Sequence, residues 1–303
     1  MGIPVVLDCD PGHDDAIAIL LAAGDPALDL LGVTTVAANQ TLEKVTLNAR
    51  RVCTAAGITV PIATGSAKPL LRPLRIADDI HGDSGLDGPV FGPPTVPVVD
   101  EHAVELLHRL LPATVIATGA LTNVALLLTR YPEDAERITE IVLMGGSTGR
   151  GNITPYAEAN IHVDPEAAAI VFGSGVPVTM VGLNVTHQAL VTPDVVARLE
   201  ALGPLGRTCA ELMVFFGETY RAMFGFAAPP LHDPVAVARV IDPTLVECVD
   251  AHVQVELTGT HTLGATVVDL DGYRGLAPNA KVAVGLDVDR FWDRVVGAIA
   301  RLG

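Results

Sequence analysis

Four carboxylates, Asp8, Asp10, Asp14 and Asp15, fall within eight positions of the segment VVLDCDPGHDDAIAIL. Val5, Val6 and Leu7 before them form a short β-prone run. Pro11 and Gly12 break it. From Asp14 onward Ala16, Ile17, Ile19, Leu20 and Leu21 supply a helical apolar stripe. The acids therefore sit where a strand ends and a helix begins, and ligand sites of open α/β sheets lie at such ends. One acid can cap the helix and favour its dipole, but a cap needs one acceptor. Four crowded carboxylates call for a positive partner, and a hard divalent cation with oxygen ligands is the simplest one.

The remaining pattern extends that unit into an α/β fold. Strand-like runs at Leu28 to Val36, Thr114 to Ala117, Glu140 to Met144 and Pro177 to Val181 alternate with helical ones. The helical segments run from Leu42 to Ala56, with Thr41 as cap, from about Thr122, and from Asp164-Pro165 to Phe172. Another begins at Asp194 and a longer one covers Arg207 to Phe224. Such alternation predicts a single domain over residues 1–303, a mostly parallel open sheet flanked by helices. Val246 to Leu257 and Gly264 to Leu270 have no long helix between them and predict a small antiparallel addition near the C-terminus. Asp289 to Leu302 predicts a closing amphipathic helix. The stretch from Thr64 to Val98, rich in Gly and Pro and containing HGDSGLDG, is irregular, and a loop of that length is usually functional.

Charge and cysteine usage narrow the partners. A net charge of −16, from 35 acids against 19 bases, opposes binding to nucleic acid and to anionic membranes. No stretch is apolar enough to span a bilayer, and no signal peptide is visible. Cys9, Cys53, Cys209 and Cys248 are scattered and show no zinc spacing, which fits buried thiols in a reducing cytoplasm. Cys9 lies between two acids, where a thiolate is disfavoured.

Beyond the acid cluster, polar residues stand out at Asn39, at His81, in GNITPYAEANIHVDPEAA and in LHDP at 231 to 234. Asn39 and Thr118 each follow a predicted strand and share the sheet edge of Asp10. Asp164, Pro165 and Glu166 read as a helix start. Glu158 and Asn160 precede that helix and have no capping role in this reading. His232 beside Asp233 offers a proton donor and a metal ligand together. His13 reads as a solvated surface histidine. Tyr220 and Phe224 are spaced i, i+4 and share a helix face.

These segments resemble the inosine-uridine nucleoside hydrolases, calcium-dependent nucleoside N-ribohydrolases. DCDPGHDDA, TGALTNVA, LMGG, GNITPYAEANIHVDPEAA, PLHDP and PNAKVAVGLDVDRFWD occur in the family order, from Val5 to about Trp292. The resemblance implies hydrolysis of the N-glycosidic bond of ribonucleosides to ribose and free base by a small-molecule enzyme that is a homo-oligomer, dimer or tetramer. It implies Ca2+ as cofactor, held by Asp10, Asp15, the carbonyl of Thr118 and Asp233. A calcium-bound water would be activated by Asp10 as general base. Asp14 and Asn160 would hold ribose hydroxyls, Asp14 also reaching the metal, while Asn39 would steady the water and the ribose. Asn152 and Glu158 would hold the 3′ and 5′ hydroxyls. His81 and His232 would face the nucleobase, with His232 as leaving-group acid, and Tyr220 and Phe224 would lie on a helix over the base. Asp8 would support the cluster from behind. Ala159 stands where many relatives carry an aromatic, which opens the 5′ end. Two other readings of the acid cluster are a phosphoryl-transfer enzyme of the HAD type and a calcium-dependent nucleoside- or sugar-binding protein without turnover.

Overall fold

A computed structural model describes residues 2–303. The strands are β1 (Ile3–Cys9), β2 (Leu28–Thr35), β3 (Ile62–Thr64), β4 (Ala113–Ala117), β5 (Ile138–Met144), β6 (Val178–Val181), β7 (Val246–Val255), β8 (Thr266–Asp269) and β9 (Ala280–Leu286). They join in one sheet of order β3-β2-β1-β4-β5-β6-β9-β7-β8. β1 to β6 and β9 pair in parallel, whereas β7 runs antiparallel to both β9 and β8. The expected parallel sheet with an antiparallel end is thus present.

Alternation along the strands builds two cores. Val5, Leu7 and Cys9 of β1 point to one face, where they meet the helices His13–Gly24, Leu42–Ala55, Asp233–Ile241 and Val288–Leu302. Val6 points to the other and packs with the helices Ala103–Leu110, Thr122–Arg130 and Pro165–Phe172. A strand buried on both faces needs no polar alternation, which explains the unbroken run Val5-Val6-Leu7. The helix His13–Gly24 is buried on nearly every side, and its leucines, isoleucines and alanines pack against four other helices.

Some details differ from expectation. β9 has no counterpart among the expected strands: it pairs with β6 through Thr179↔Lys281 and Met180↔Val282 and carries β7 and β8 outward. Thr41 takes the cap position of its helix, but its side chain makes no capping bond. Within Thr64 to Val98 a single short helix, Asp78–His81, interrupts irregular backbone. Among the described residues no helix is long and apolar enough to cross a membrane.

Candidate active site

The strand order reverses between β1 and β4, since β2 and β3 lie on one side and β5 and β6 on the other. A crevice opens outside the carboxyl ends of strands at such a switch point. Asp10 directly follows β1 and Thr118 directly follows β4. The two ends are stitched by the Thr118 N–H donating to the Asp8 carbonyl at 2.8 Å. The sequence therefore delivers its acid cluster to a place where neighbouring loops diverge.

Asp14 and Asp15 enter on the first turn of the helix His13–Gly24. Asp15 caps that turn, accepting from the Gly12 N–H at 3.0 Å, and also accepts from Thr118 Oγ1 at 2.7 Å and Asn39 Nδ2 at 3.1 Å. Asp233 opens the helix Asp233–Ile241 from the opposite wall. Carboxylate oxygens of Asp14, Asp15 and Asp233 lie within 4.8 Å of one another, all three residues buried. Asp10 stands beside this triangle rather than in it. Its Oδ2 accepts from the Asn39 N–H at 2.7 Å, while its buried Oδ1 has no partner. Asp8 lies behind, held by Thr34 Oγ1 at 2.6 Å and Asn123 Nδ2 at 2.8 Å.

Such crowding has an electrostatic signature. Burial first, then the charge of Asp15, pushes Asp14 up to about 7. Burial and neighbouring carboxylates push Asp10 and Asp233 well above the ordinary carboxylate value. Burial alone raises Asp8 to about 6 against its two hydrogen bonds. Like charges in a dry site cannot all ionise without a counter-charge. The orphaned Asp10 oxygen, the triangle and the absence of nitrogen or sulfur among these donors suit a hard divalent cation better than zinc.

These raised values make a stability prediction with a definite sign. Asp8 and Asp14 titrate near 6 and 7 in the fold, against about 3.9 in an unfolded chain. The fold then binds more protons than the unfolded chain, so stability falls as pH rises through that window. The chelated protein is expected to melt at a lower temperature at pH 8 than at pH 5. Added calcium should raise the melting temperature more at pH 8, because it replaces the missing protons. Thermal melts at both pH values check this, and an equal calcium shift at both would contradict it.

Above the acids lies a cavity of about 260 Å³. Its floor holds Asp14, Asn39, Thr118, Asn160 and Asp233, and its walls include His81, Asn152, Glu158, Ala159, Tyr220, Phe224 and His232. Glu158 does have a capping role, contrary to the expectation above: it caps the short helix Ala159–Val163, accepting from the N–H groups of Asn160 and Ile161. Its other contact is the Gly146 N–H at 2.9 Å. Asn160 gives its amide hydrogens to the carbonyls of Thr118 and Met144, at 2.8 and 3.0 Å, which leaves its Oδ1 free to accept. Asn152 Oδ1 accepts from the Ala159 N–H at 2.9 Å, which leaves its amide hydrogens free to donate.

At the far wall a hydrogen-bonded chain runs from Thr186 Oγ1 to His232 Nδ1 at 2.7 Å and from His232 Nε2 to the Tyr220 hydroxyl at 2.8 Å. Burial lowers His232 to about 3, so its ring is neutral. Burial and nearby acids push Tyr220 well above the usual tyrosine value, so its hydroxyl keeps its hydrogen. Thr186 had no sequence signal of its own, since it lies in a four-residue helix beyond β6.

His13 departs most from what its sequence context suggests. It is fully buried, not solvated. Its ring packs between Phe215 and Phe216 and contacts His81. Gly12 makes this arrangement possible, because a Cβ there would lie 2.6 Å from His81 Nδ1 and 2.9 Å from Asn39 Nδ2. Gly12→Ala is expected to push both side chains out of place and lower kcat/KM about 100-fold. Steady-state kinetics on a variant with a native circular-dichroism spectrum check this, and a change below threefold (roughly, on the same argument) would contradict it.

Comparison with known proteins agrees with this geometry. The family model described as inosine-uridine preferring nucleoside hydrolase matches residues 5–293. The chain is 48% identical over 301 residues, 97% of each sequence, to the pyrimidine-specific ribonucleoside hydrolase RihA of Escherichia coli O7:K1. It is also 48% identical to RihA of Enterobacter sp. (strain 638), covering 99% of both. Among solved structures it superposes on a purine-preferring ribonucleoside hydrolase from Gardnerella vaginalis with a TM-score of 0.92 and 34% identity, over 99% of this chain and 98% of the other. With its acids at the switch point and a polar cavity above them, the chain belongs to the inosine-uridine preferring nucleoside hydrolase family.

Proposed function

We propose that this nucleoside hydrolase acts on pyrimidine ribonucleosides, releasing ribose and free base, with calcium held by the acid cluster. The observation that carries the reading is the stacking of an all-oxygen cup, Asp14, Asp15 and Asp233 beside Asp10, directly under a cavity walled by His81, Tyr220 and His232. The pyrimidine preference rests on the RihA relatives at 48% identity, against 34% for the purine-preferring structure.

Calcium would be held by Asp10, Asp15, Asp233 and the Thr118 carbonyl, with Asp14 at its margin, and when bound it supplies positive charge that acidifies a water and anchors the sugar diol. Asp10, already steadied by Asn39, takes the proton from the attacking water. The water oxygen bonds to C1′ as the glycosidic bond breaks, and the bond pair leaves on the base nitrogen. The ribose passes through an oxocarbenium-like state, and the surrounding carboxylates stabilise its developing charge. Asp14 and the free Oδ1 of Asn160 accept from ribose hydroxyls, and Asn152 and Glu158 hold the hydroxyls at the other end. Phe224 covers the base.

A neutral His232 alters the assignment of the acid. A ring with one proton is a poor direct donor, and His232 instead orients the Tyr220 hydroxyl to which it is bonded, while the proton that Tyr220 gives the leaving nitrogen is replaced from solvent after the products leave. Tyr220 then faces the leaving base as proton donor, with His232 and Thr186 behind it.

Incubation with uridine, cytidine, inosine and adenosine, with assay of reducing sugar, tests the reading. Uridine and cytidine are expected to release ribose fastest. Tyr220→Phe and His232→Ala should each slow uridine about 100-fold or more yet leave an activated nitrophenyl riboside nearly unaffected. Purine nucleosides cleaved faster would overturn the base preference. Release of phosphate from a nucleotide, or binding without ribose release, would overturn the reaction itself.

A further inference from the structure

Resting on the reading that the wall around His81 faces the nucleobase, we infer that Arg75 contacts the 2-oxo group of a pyrimidine. There it stabilises the negative charge that gathers as the glycosidic bond breaks.

Among the residues lining the nucleoside cavity, Arg75 is the only lysine or arginine, and four acids, Asp14, Asp79, Glu158 and Asp233, line the same space. A guanidinium stays charged at every working pH, so its charge depends on no neighbour. Among the described residues Arg75 forms no ion pair, not even with Asp79 four positions on. Arg72, three positions earlier, is by contrast tied to Glu166 at 2.6 Å. The fork of Arg75 is thus left for a ligand. Its segment is fixed to the site at two points. The Ala77 N–H donates to the Asn39 carbonyl at 3.1 Å, and His81 is buried in the cavity wall. Arg75, Ile80 and His81 therefore reach the cavity from one stretch of chain, on the side read as the base end.

In a pyrimidine nucleoside the leaving nitrogen, N1, is bonded to C2, and C2 carries a carbonyl oxygen. As the water oxygen bonds to C1′ and the C1′–N1 bond breaks, the bonding pair passes to N1 and is shared with O2. A fixed cation at O2 stabilises that state more than the intact nucleoside. Tyr220 supplies the proton, and Arg75 holds the charge until it arrives. In a purine nucleoside the leaving nitrogen is N9, and no carbonyl carbon adjoins it. Arg75 thus favours uridine and cytidine, which share O2, over inosine, and gives the pyrimidine preference a physical basis in this chain.

Steady-state kinetics of the calcium-loaded wild type, Arg75→Ala and Arg75→Lys test this, on variants with native circular-dichroism spectra. Arg75→Ala is expected to lower kcat/KM on uridine and cytidine about thirtyfold, the effect of losing a hydrogen bond to a charged group. The loss should fall mainly on kcat, because the contact tightens as the bond breaks. Inosine should lose less than about threefold, since its leaving nitrogen has no adjoining carbonyl. 5-Fluorouridine, whose base leaves more readily, should lose less than uridine, and nitrophenyl riboside should be nearly unaffected. Arg75→Lys keeps the charge without the fork and should recover part of the uridine rate. Equal loss on uridine, inosine and nitrophenyl riboside would overturn the inference. So would uridine kinetics unchanged in Arg75→Ala, or a loss carried by KM alone. Failure of the wild type to release ribose from any nucleoside would instead refute the hydrolase reading.

Discussion

Asp10→Asn is expected to lower kcat on uridine about 10²–10⁴-fold, the usual range for removing a general base. Asparagine has the same shape and keeps an oxygen for the Asn39 N–H that now donates to Asp10 at 2.7 Å. The floor of the site should therefore stay in place. KM should change little, because the lost interaction belongs to proton transfer rather than to ribose binding. The substitution also removes one of several mutually repelling carboxylates, since burial and neighbouring acids hold Asp10 well above its ordinary value. The metal-free variant should then be more stable than the metal-free wild type at pH 8. Near-normal turnover with uridine would exclude Asp10 as the base. A fall in kcat matched by an equal rise in KM would place Asp10 in substrate binding.

Exhaustive chelation is the second large effect. EDTA followed by gel filtration is expected to abolish uridine hydrolysis, and calcium should restore it. Magnesium should restore less, because it demands a smaller, near-octahedral shell and gives up water reluctantly. The reason lies in the packing of Asp14, Asp15 and Asp233 oxygens within 4.8 Å. Without a cation, burial raises all three groups above the ordinary carboxylate value, and the charge of neighbouring acids adds to this at Asp14 and Asp233, so their charged forms are disfavoured. Protonated carboxyls neither anchor a diol as strongly nor stabilise a cationic sugar. Full activity after complete chelation would refute the metal's role in the reaction.

Much of this site is legible in the sequence alone. The strand, turn and acid-bearing first helical turn at 5 to 21 placed the site at a strand end, and the reversal of strand order between β1 and β4 explains why that end is a crevice. Asp164 and Pro165 were recognisable as cap and first residue, and Asp164 indeed accepts from the Ala167 N–H. What escaped had weak local signals. β9 follows an irregular Gly- and Pro-containing stretch, and only its pairing with β6 shows that it extends the main sheet. Glu158 looked free because the helix it caps spans five residues, too few to set a period. His13 was misplaced because its burial depends on Phe215 and Phe216, about two hundred positions later in the chain. No periodicity reports a contact of that separation. That Asp14, Asp15 and Asp233 form the tightest carboxylate group, with Asp10 beside it, is likewise a matter of side-chain placement, not of spacing.

The central claim is that the buried carboxylates gathered beside the β1 and β4 ends, Asp10, Asp15 and Asp233, hold one divalent ion. Titration calorimetry of calcium into the chelated protein at pH 7.5 addresses it directly. One ion per chain should bind with release of protons, and Asp15→Ala or Asp233→Ala should weaken that binding strongly. Heat no greater than that of dilution in the folded wild type, or binding unchanged by both substitutions, would contradict the account.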